Sequence, residues 1–316
     1  MLPSPAMLHR VLAVALNTYR ESVRARILLG LAGLAFAVSF YSLIVGTFTL
    51  KHAPRVVSDL GAASISLFSV AVAIIIGATS LHRELEQKTL FPILARPLRR
   101  GEYLSGKYFG TLLTIAVFIM ADAGLVLLIS AALGGRSTGI VVFAGALLVA
   151  ALGAAAVYSP WARTFGPIPW AVALFLVGAW LAGSAPEERR VVLGASALAF
   201  LEVAIVTAVA TLFSSFSTPF LSALLTLGVF LIGRNTDALA RFPVKTMGQL
   251  IHDGGVLLSK IVPNLHIYVP PRPLLTGEAI GANLASYLGM ATVASAGWSV
   301  FLLAVSSVIF RRRDFL

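Results

Sequence analysis

Long apolar stretches separated by short polar ones dominate the chain. Each stretch has roughly the 17–25 residues that an α-helix needs to cross the hydrocarbon core of a bilayer. The pattern therefore predicts eight membrane-spanning helices. They cover residues 27–49, 60–81, 108–134, 139–158, 168–184, 191–213, 217–234 and 284–310.

The fourth and fifth of these stretches are separated by a cluster of prolines, which disrupt a continuous helix. These are Pro160, Pro167 and Pro169. The pair either forms a hairpin of two spans or is a re-entrant segment that leaves six spans. We interpret residues 135–190 as an inserted hairpin, and we keep six spans plus a re-entrant segment as the alternative.

Residues 1–26 carry an amphipathic pattern instead of a spanning one. Apolar side chains recur at helical spacing, with polar and basic side chains on the other face. The apolar positions are Leu8, Val11, Leu12, Ala15, Leu16 and Tyr19. Such a helix lies in the headgroup plane of a membrane. We therefore predict an interfacial helix over 1–26 and a transmembrane domain over 27–316.

Composition supports a membrane protein. Of the 316 residues, 58% are hydrophobic and 12% charged, and the mean hydropathy is +0.92, whereas soluble domains average about 25% charged residues. The formal charge is +11, but no basic soluble domain with aromatic platforms is present, so the pattern does not indicate nucleic-acid binding.

Basic loops stay in the cytoplasm and face anionic membrane lipid. The basic segment 82–107 and the terminal Arg311–Arg313 therefore predict a multi-pass protein of the bacterial inner membrane with both termini cytoplasmic.

The longest stretch between spans is 235–283, which this topology places on the periplasmic side. It contains an amphipathic patch followed by several prolines. We predict a short helix on the membrane surface and then an extended segment. A periplasmic accessory protein is a candidate partner for this loop.

The cytoplasmic segment 83–107 is charged and lies between two spans. A short helix before Pro97 and a turn at Gly101 are expected. A rigid element joined to two spans can transmit an external push into the membrane. The simpler alternative is a basic loop that only sets topology.

This segment resembles the signature of ABC-2-type (type V exporter-like) permeases. The matching positions are Glu84, Glu86, Lys88, Thr89, Leu90, Pro97, Arg99, Arg100, Glu102, Tyr103, Gly106 and Lys107. The resemblance implies a coupling helix that docks on a separate ABC ATPase. It also implies two ATPase copies, a second copy of this permease, and ATP and magnesium bound by the ATPase. Some relatives of this permease type are linked to copper-enzyme maturation.

One segment matches a nucleotide-binding motif incompletely. Residues 101–107 match the first seven positions of a phosphate-binding loop. The eighth position should be Ser or Thr for magnesium, and here it is Tyr108. We expect no nucleotide site and no cofactor on this chain.

Two acids lie inside predicted spans. Asp122 is near the middle of 108–134 and Glu202 near the middle of 191–213, and neither has an evident Lys or Arg partner within the membrane. A charge at the bilayer centre costs about 2.5–3.5 kcal/mol. Such acids are either polar elements of a transport path or helix-to-helix hydrogen-bonding groups.

These features predict a permease subunit that exports or extracts a substrate and has no ATPase of its own. Two alternatives remain. The first is a proton-coupled secondary transporter that uses Asp122 and Glu202. The second is a non-transporting component that transmits force to a periplasmic partner. The chain has no cysteine, its five histidines are scattered, and no metal site or catalytic set is expected.

Overall fold

A computed structural model describes residues 5–49, 52–86, 100–241, 249–278 and 283–312 of the chain. Within these ranges the ordered elements are helices joined by turns, and there is no strand. The helices are α1 (Pro5–Val23), α2 (Arg26–Thr47), α3 (Ala53–Glu86), α4 (Arg100–Leu133), α5 (Thr138–Tyr158), α6 (Pro160–Phe165), α7 (Pro167–Leu181), α8 (Pro186–Ser214), α9 (Pro219–Arg234), α10 (Thr236–Ala240), α11 (Gln249–Ile261), α12 (Arg272–Thr276) and α13 (Leu284–Arg312). Two short 3-10 helices lie at Ala182–Ser184 and His266–Tyr268.

Each predicted span corresponds to a helix. Among the described residues, seven helical segments are long and apolar enough to cross a membrane. Six belong to α2, α3, α4, α5, α8 and α13, and the seventh is the 18-residue segment Pro167–Ser184, which joins α7 to the 3-10 helix after it. The eighth, α9, has only 16 residues, about 24 Å at 1.5 Å per residue, which is less than the ~30 Å hydrocarbon core. The prediction of an all-α transmembrane fold is confirmed.

Helices α3, α4 and α8 form the centre of the molecule. Helix α3 packs against both α4 and α8, which also touch each other. Buried residues make up 78% of the most apolar stretch of α4, against 6% for α5. Around this centre, α2 lies on α3, α13 lies on α8, and α1 and α7 lie on α4.

The predicted inserted hairpin is formed by α5, α6 and α7, and α7 is closely packed into the fold. A Cβ atom at Gly124 of α4 would lie 2.9 Å from the carbonyl carbon of Leu174 of α7. A Cβ at Gly178 would lie 2.7 Å from the carbonyl oxygen of Gly124. Such close approach requires glycine. Helix α5 is peripheral and joins α7 through Trp170, whose Nε1 donates to the carbonyl of Leu148 at 3.0 Å.

The segment 235–283 is anchored to the spanning helices. The amphipathic patch forms α11. Where an extended segment was predicted among the prolines, the structure has the 3-10 helix His266–Tyr268 and α12. Arg272 of α12 donates to the Ser58 hydroxyl at 3.2 Å and to Asp59, both on α3. It also forms an ion pair of 3.7 Å with Glu188 of α8. One side chain therefore connects the segment 235–283 to two central helices.

Candidate functional site

The predicted coupling segment lies between the last turn of α3 and the first turn of α4. Glu84 and Glu86 lie on that last turn of α3, but their side chains are outside the described part of the chain. The predicted positions Lys88, Thr89, Leu90, Pro97 and Arg99 are outside the described residues altogether. The other five predicted positions lie at the start of α4, where their contacts can be described.

Three of these five are buried polar side chains that connect α4 to α1 and α3. Glu102 accepts a hydrogen bond of 3.3 Å from Nη2 of Arg10 on α1, and only 3% of its side chain is exposed. Lys107 donates from Nζ to the carbonyl of Ser80 on α3 at 2.9 Å and lies 3.8 Å from Glu21 on α1. Tyr103 is buried beside them. These polar groups face the inside of the protein, where they fix α1 and α3 to α4.

Helix α13 contacts the same first turns of α4. Arg100 donates from Nη1 to the carbonyl of Phe310 on α13 at 3.0 Å. The rings of Tyr103 and Phe310 are stacked with their centroids 6.4 Å apart. The first turns of α4 are therefore a junction of four helices, α1, α3, α4 and α13, next to residues 87–99.

Two glycines let α1 cross α4 at close range. A Cβ atom at Gly106 would lie 2.6 Å from Cβ of Val14, and one at Gly110 would lie 2.4 Å from the carbonyl oxygen of Ala15. Contacts this short exclude any side chain. Gly106 was predicted as a coupling residue, and its observed neighbour is α1. The four-residue spacing of the two glycines is a helix-packing signal that our sequence reasoning missed.

Tyr19 fills the space beside this crossing. Its side chain is fully buried, and its ring stacks on Phe165 of α6 with centroids 6.0 Å apart. The hydroxyl has no hydrogen-bond partner among the described residues. Burial raises the pKa of Tyr19 to about 12, because the charged phenolate is poorly solvated there.

Within the membrane, Asp122 is held by hydroxyl groups. The Ser39 hydroxyl of α2 donates to its Oδ1 at 2.9 Å, and the Ser64 hydroxyl of α3 donates to Oδ2 at 3.4 Å. Asp122 is fully buried, and no basic side chain of the described residues pairs with it. The acid thus connects α2, α3 and α4 by hydrogen bonds.

Glu202 has the intramembrane cation that the sequence did not reveal, so the prediction that it lacks one is wrong. Arg234 donates from Nε to Oε1 and from Nη2 to Oε2, each at 2.7 Å. The Ser66 hydroxyl of α3 accepts a further bond from Nη2. Glu202 is completely buried, whereas 26% of the Arg234 side chain is exposed.

The short length of α9 explains why this pair was missed. Helix α8 ends at the turn 215–218, and α9 begins after it. The bond between Glu202 and Arg234 shows that α9 runs back along α8. At 1.5 Å per residue, Glu202 lies about 18 Å from that turn along α8, and Arg234 about 22 Å along α9. These two distances differ by only about 4 Å, so α9 ends beside Glu202, where Arg234 reaches the carboxylate.

The two acids occupy opposite sides of α3. Ser64 bonds to Asp122, and Ser66 bonds to Glu202 and Arg234. Residues two positions apart on a helix point about 200° apart. The acids therefore do not form one site, but both are hydrogen-bonded to the helix that leads into the predicted coupling segment. No group of three or more acids or histidines among the described residues could hold a metal.

Comparison with known protein families gives a match, whereas no curated protein matches the chain. Residues 20–182, just over half of the chain, match the family described as ABC-2 family transporter protein. The matched range begins in α1 and runs through α7, so it contains the start of α4, where the four helices meet, and helices α5 to α7. The chain therefore belongs to the ABC-2 transporter family.

Proposed function

We propose that this chain is the membrane-spanning permease subunit of an ATP-driven ABC transporter in a bacterial inner membrane. Two copies of it would work with two copies of a separate ATPase, which binds ATP and magnesium. Export or extraction of a substrate is the proposed direction. The observation that carries the proposal is the junction at the start of α4 in a chain of this family.

The junction suits the transmission of force. A partner that pushes on 87–99 would act directly on the ends of α3 and α4. The ties from Glu102, Lys107 and Arg100 would carry that movement to α1 and α13. Because α3 also contacts the two intramembrane acids through Ser64 and Ser66, the same movement would reach the middle of the membrane.

The proposed topology places 87–99, the turn at 215–218 and both termini in the cytoplasm. The outer segment 235–283 then faces the periplasm, where a partner protein could dock. Eight helices that alternate in direction satisfy this arrangement, with α9 ending inside the membrane and α10 to α12 completing the outer side.

Co-purification tests the ATPase partnership. The tagged chain is expressed with its candidate ATPase as wild type and as the double variant Glu84→Lys/Glu86→Lys. We expect the ATPase to co-purify with the wild type and to be lost with the variant, because the reversed charges lie where α3 meets the partner. A matched control, Glu187→Lys/Glu278→Lys, makes the same charge change at two exposed residues of the outer side and should retain the ATPase.

The outcomes separate the candidate functions. Failure of the wild type to retain an ATPase in mild detergent would contradict the proposal. Transport that continues without any ATPase would favour the proton-coupled transporter instead. A stable periplasmic partner with ATP hydrolysis but no moved solute would favour the force-transmitting component.

A further inference from the structure

Arg234 has hydrogen-bond donors that the protein does not use. A guanidinium group carries five N–H donors. The bonds to Glu202 and Ser66 come from Nε and Nη2, and no described residue accepts from Nη1. The ring of Phe230 covers one face of the guanidinium at 5.3 Å from its centroid. The two Nη1 donors are therefore left to the exposed edge of the side chain.

This edge lies at a depth where lipid cannot satisfy it. Its partner Glu202 is about 24 Å from the start and about 18 Å from the end of α8, so in a spanning α8 the ion pair falls within the ~30 Å hydrocarbon core, and 26% of the Arg234 side chain is exposed. Unpaired donors that face lipid chains cost several kcal/mol. The exposed edge must therefore face a polar space or a bound polar group in the working membrane protein.

The surface around this edge is apolar. On α3, Ala63 and Leu67 are exposed on either side of Ser66, with Leu67 62% exposed. On α9, Leu231 lies one turn before Arg234 and is 52% exposed. Ala63, Leu67, Leu231 and Arg234 thus form a strip on α3 and α9. It has apolar side chains on both sides of the two unused N–H donors of Arg234.

The positive member of the ion pair is exposed on this strip, and the negative member is buried. The carboxylate of Glu202 is fully buried behind the guanidinium. The exposed edge therefore presents the positive end of the ion pair. The two Nη1 donors can hold an acceptor oxygen of a ligand by hydrogen bonds. Because Glu202 partly neutralises Arg234, the attraction to an anionic ligand is weak enough for the ligand to dissociate.

We propose that Arg234 holds the acidic headgroup of the transported molecule, and that this molecule is an amphiphile with a carboxylate or phosphate on an apolar body. The inference rests on the proposed permease function and names the substrate class of that path. Glu202 and Ser66 are positioning residues, because both are hydrogen-bonded to Nη2 of Arg234 and so orient the guanidinium.

Cysteine labelling tests this directly, because the chain contains no cysteine and one introduced thiol gives a clean signal. Ala63→Cys places a thiol three residues before Ser66 on the same face of α3. The full chain is labelled in native membranes with an anionic reagent (methanethiosulfonate ethylsulfonate) or a cationic one (the ethyltrimethylammonium analogue). We expect the anionic reagent to react roughly threefold faster or more.

The variants assign that preference to Arg234. Glu202→Gln/Arg234→Gln removes both charges without leaving one unpaired, and the preference should disappear. Glu202→Gln alone leaves the charge of Arg234 uncompensated, and the preference for the anionic reagent should increase.

The control Ala150→Cys, an exposed alanine in the middle of the peripheral α5, should react with neither reagent because it faces lipid. Equal rates at Ala63→Cys, or no reaction with either reagent, would overturn the proposal, the latter by showing that lipid or a second copy covers this face.

A protection experiment identifies the ligand chemistry. Oleate should slow labelling of Ala63→Cys, whereas oleyl alcohol, with the same chain but no charge, should not. Equal protection by both would show an apolar site that does not use Arg234. No step uses an ATPase, so this result is independent of the co-purification that tests the permease function.

Discussion

At the scale of single residues, the pair of Glu202 and Arg234 is the most consequential feature. A buried ion pair contributes little net stability, because desolvation of the two charges offsets their attraction. Removal of one partner is costly, however, since the other charge stays buried and uncompensated. The bidentate geometry, with both bonds at 2.7 Å, makes the two side chains one unit.

We therefore expect Arg234→Gln to destabilise the chain by about 3–5 kcal/mol, whereas Glu202→Gln/Arg234→Gln should recover most of that loss. Thermal unfolding of the purified chain in detergent micelles measures both. A double variant no more stable than the single one would show that the two side chains do not act as a pair.

Tyr19 provides a second prediction at this scale. Its hydroxyl is buried without a partner among the described residues, so Tyr19→Phe removes a desolvated polar group and should be neutral or stabilising by about 1 kcal/mol. Tyr19→Ala should destabilise, because the stacking on Phe165 is lost.

The same residue gives a pH dependence. Burial raises the pKa of Tyr19 to about 12, above its ordinary value of 10.0. Between these values the folded protein keeps a proton that the unfolded chain has lost, so stability falls as the pH rises through this window. Melting curves at high pH should therefore decline more steeply for the wild type than for Tyr19→Phe, and parallel curves would contradict this.

At the scale of helices, α4 organises the fold because it contacts α1, α3, α7, α8 and α13. Its glycines determine how closely the neighbouring helices approach. Gly106 and Gly110 are adjacent to α1, and Gly124 is adjacent to α7. The polar contacts at its first turns then fix α1 and α13 in place.

Gly110→Val should displace α1 from α4, because the new side chain would overlap the backbone of Ala15. Limited trypsin digestion should then cut at Arg20 and Arg24 faster than in the wild type, roughly tenfold or more if a docking energy above about 1.4 kcal/mol is lost. The control Gly153→Val lies on α5, where a Cβ meets nothing within 4 Å, and its digestion should match the wild type. Unchanged digestion of Gly110→Val would show that α1 is not fixed by this crossing.

Much of the helical architecture could be predicted from the sequence, because spanning helices must be long and apolar. The amphipathic helix at the start and the one at 249–261 also followed from periodicity. The depth at which a helix ends could not be predicted in this way. Since α9 is short, Arg234 lies near Glu202, and only packing against α3 and α8 shows it. The burial of Glu102 and Lys107 likewise depends on contacts far apart in the chain.

At the scale of the whole molecule, the number of spans decides where each loop lies. Both α5 and α7 belong to segments long and apolar enough to cross the membrane, which favours the hairpin over the re-entrant alternative. The turn between them should then be cytoplasmic. If the segment were re-entrant, that turn would stay on the outer side.

Labelling from either side of the membrane distinguishes these topologies. In intact cells, a membrane-impermeant thiol reagent should not reach Ala162→Cys, which lies in α6, and should reach it only in inverted vesicles. Gly183→Cys, an exposed position between α7 and α8, should behave in the opposite way. Labelling of Ala162→Cys in intact cells would support the six-span alternative.

If an external ATPase drives this chain through the ends of α3 and α4, the chain should alter ATP hydrolysis by that ATPase. We would measure the hydrolysis rate of the candidate ATPase alone and with the chain reconstituted in lipid nanodiscs. The wild-type chain should change this rate severalfold, and the folded variant Glu84→Lys/Glu86→Lys should not. A rate that is the same with and without the folded wild-type chain would show that the ATPase does not act through α3 and α4.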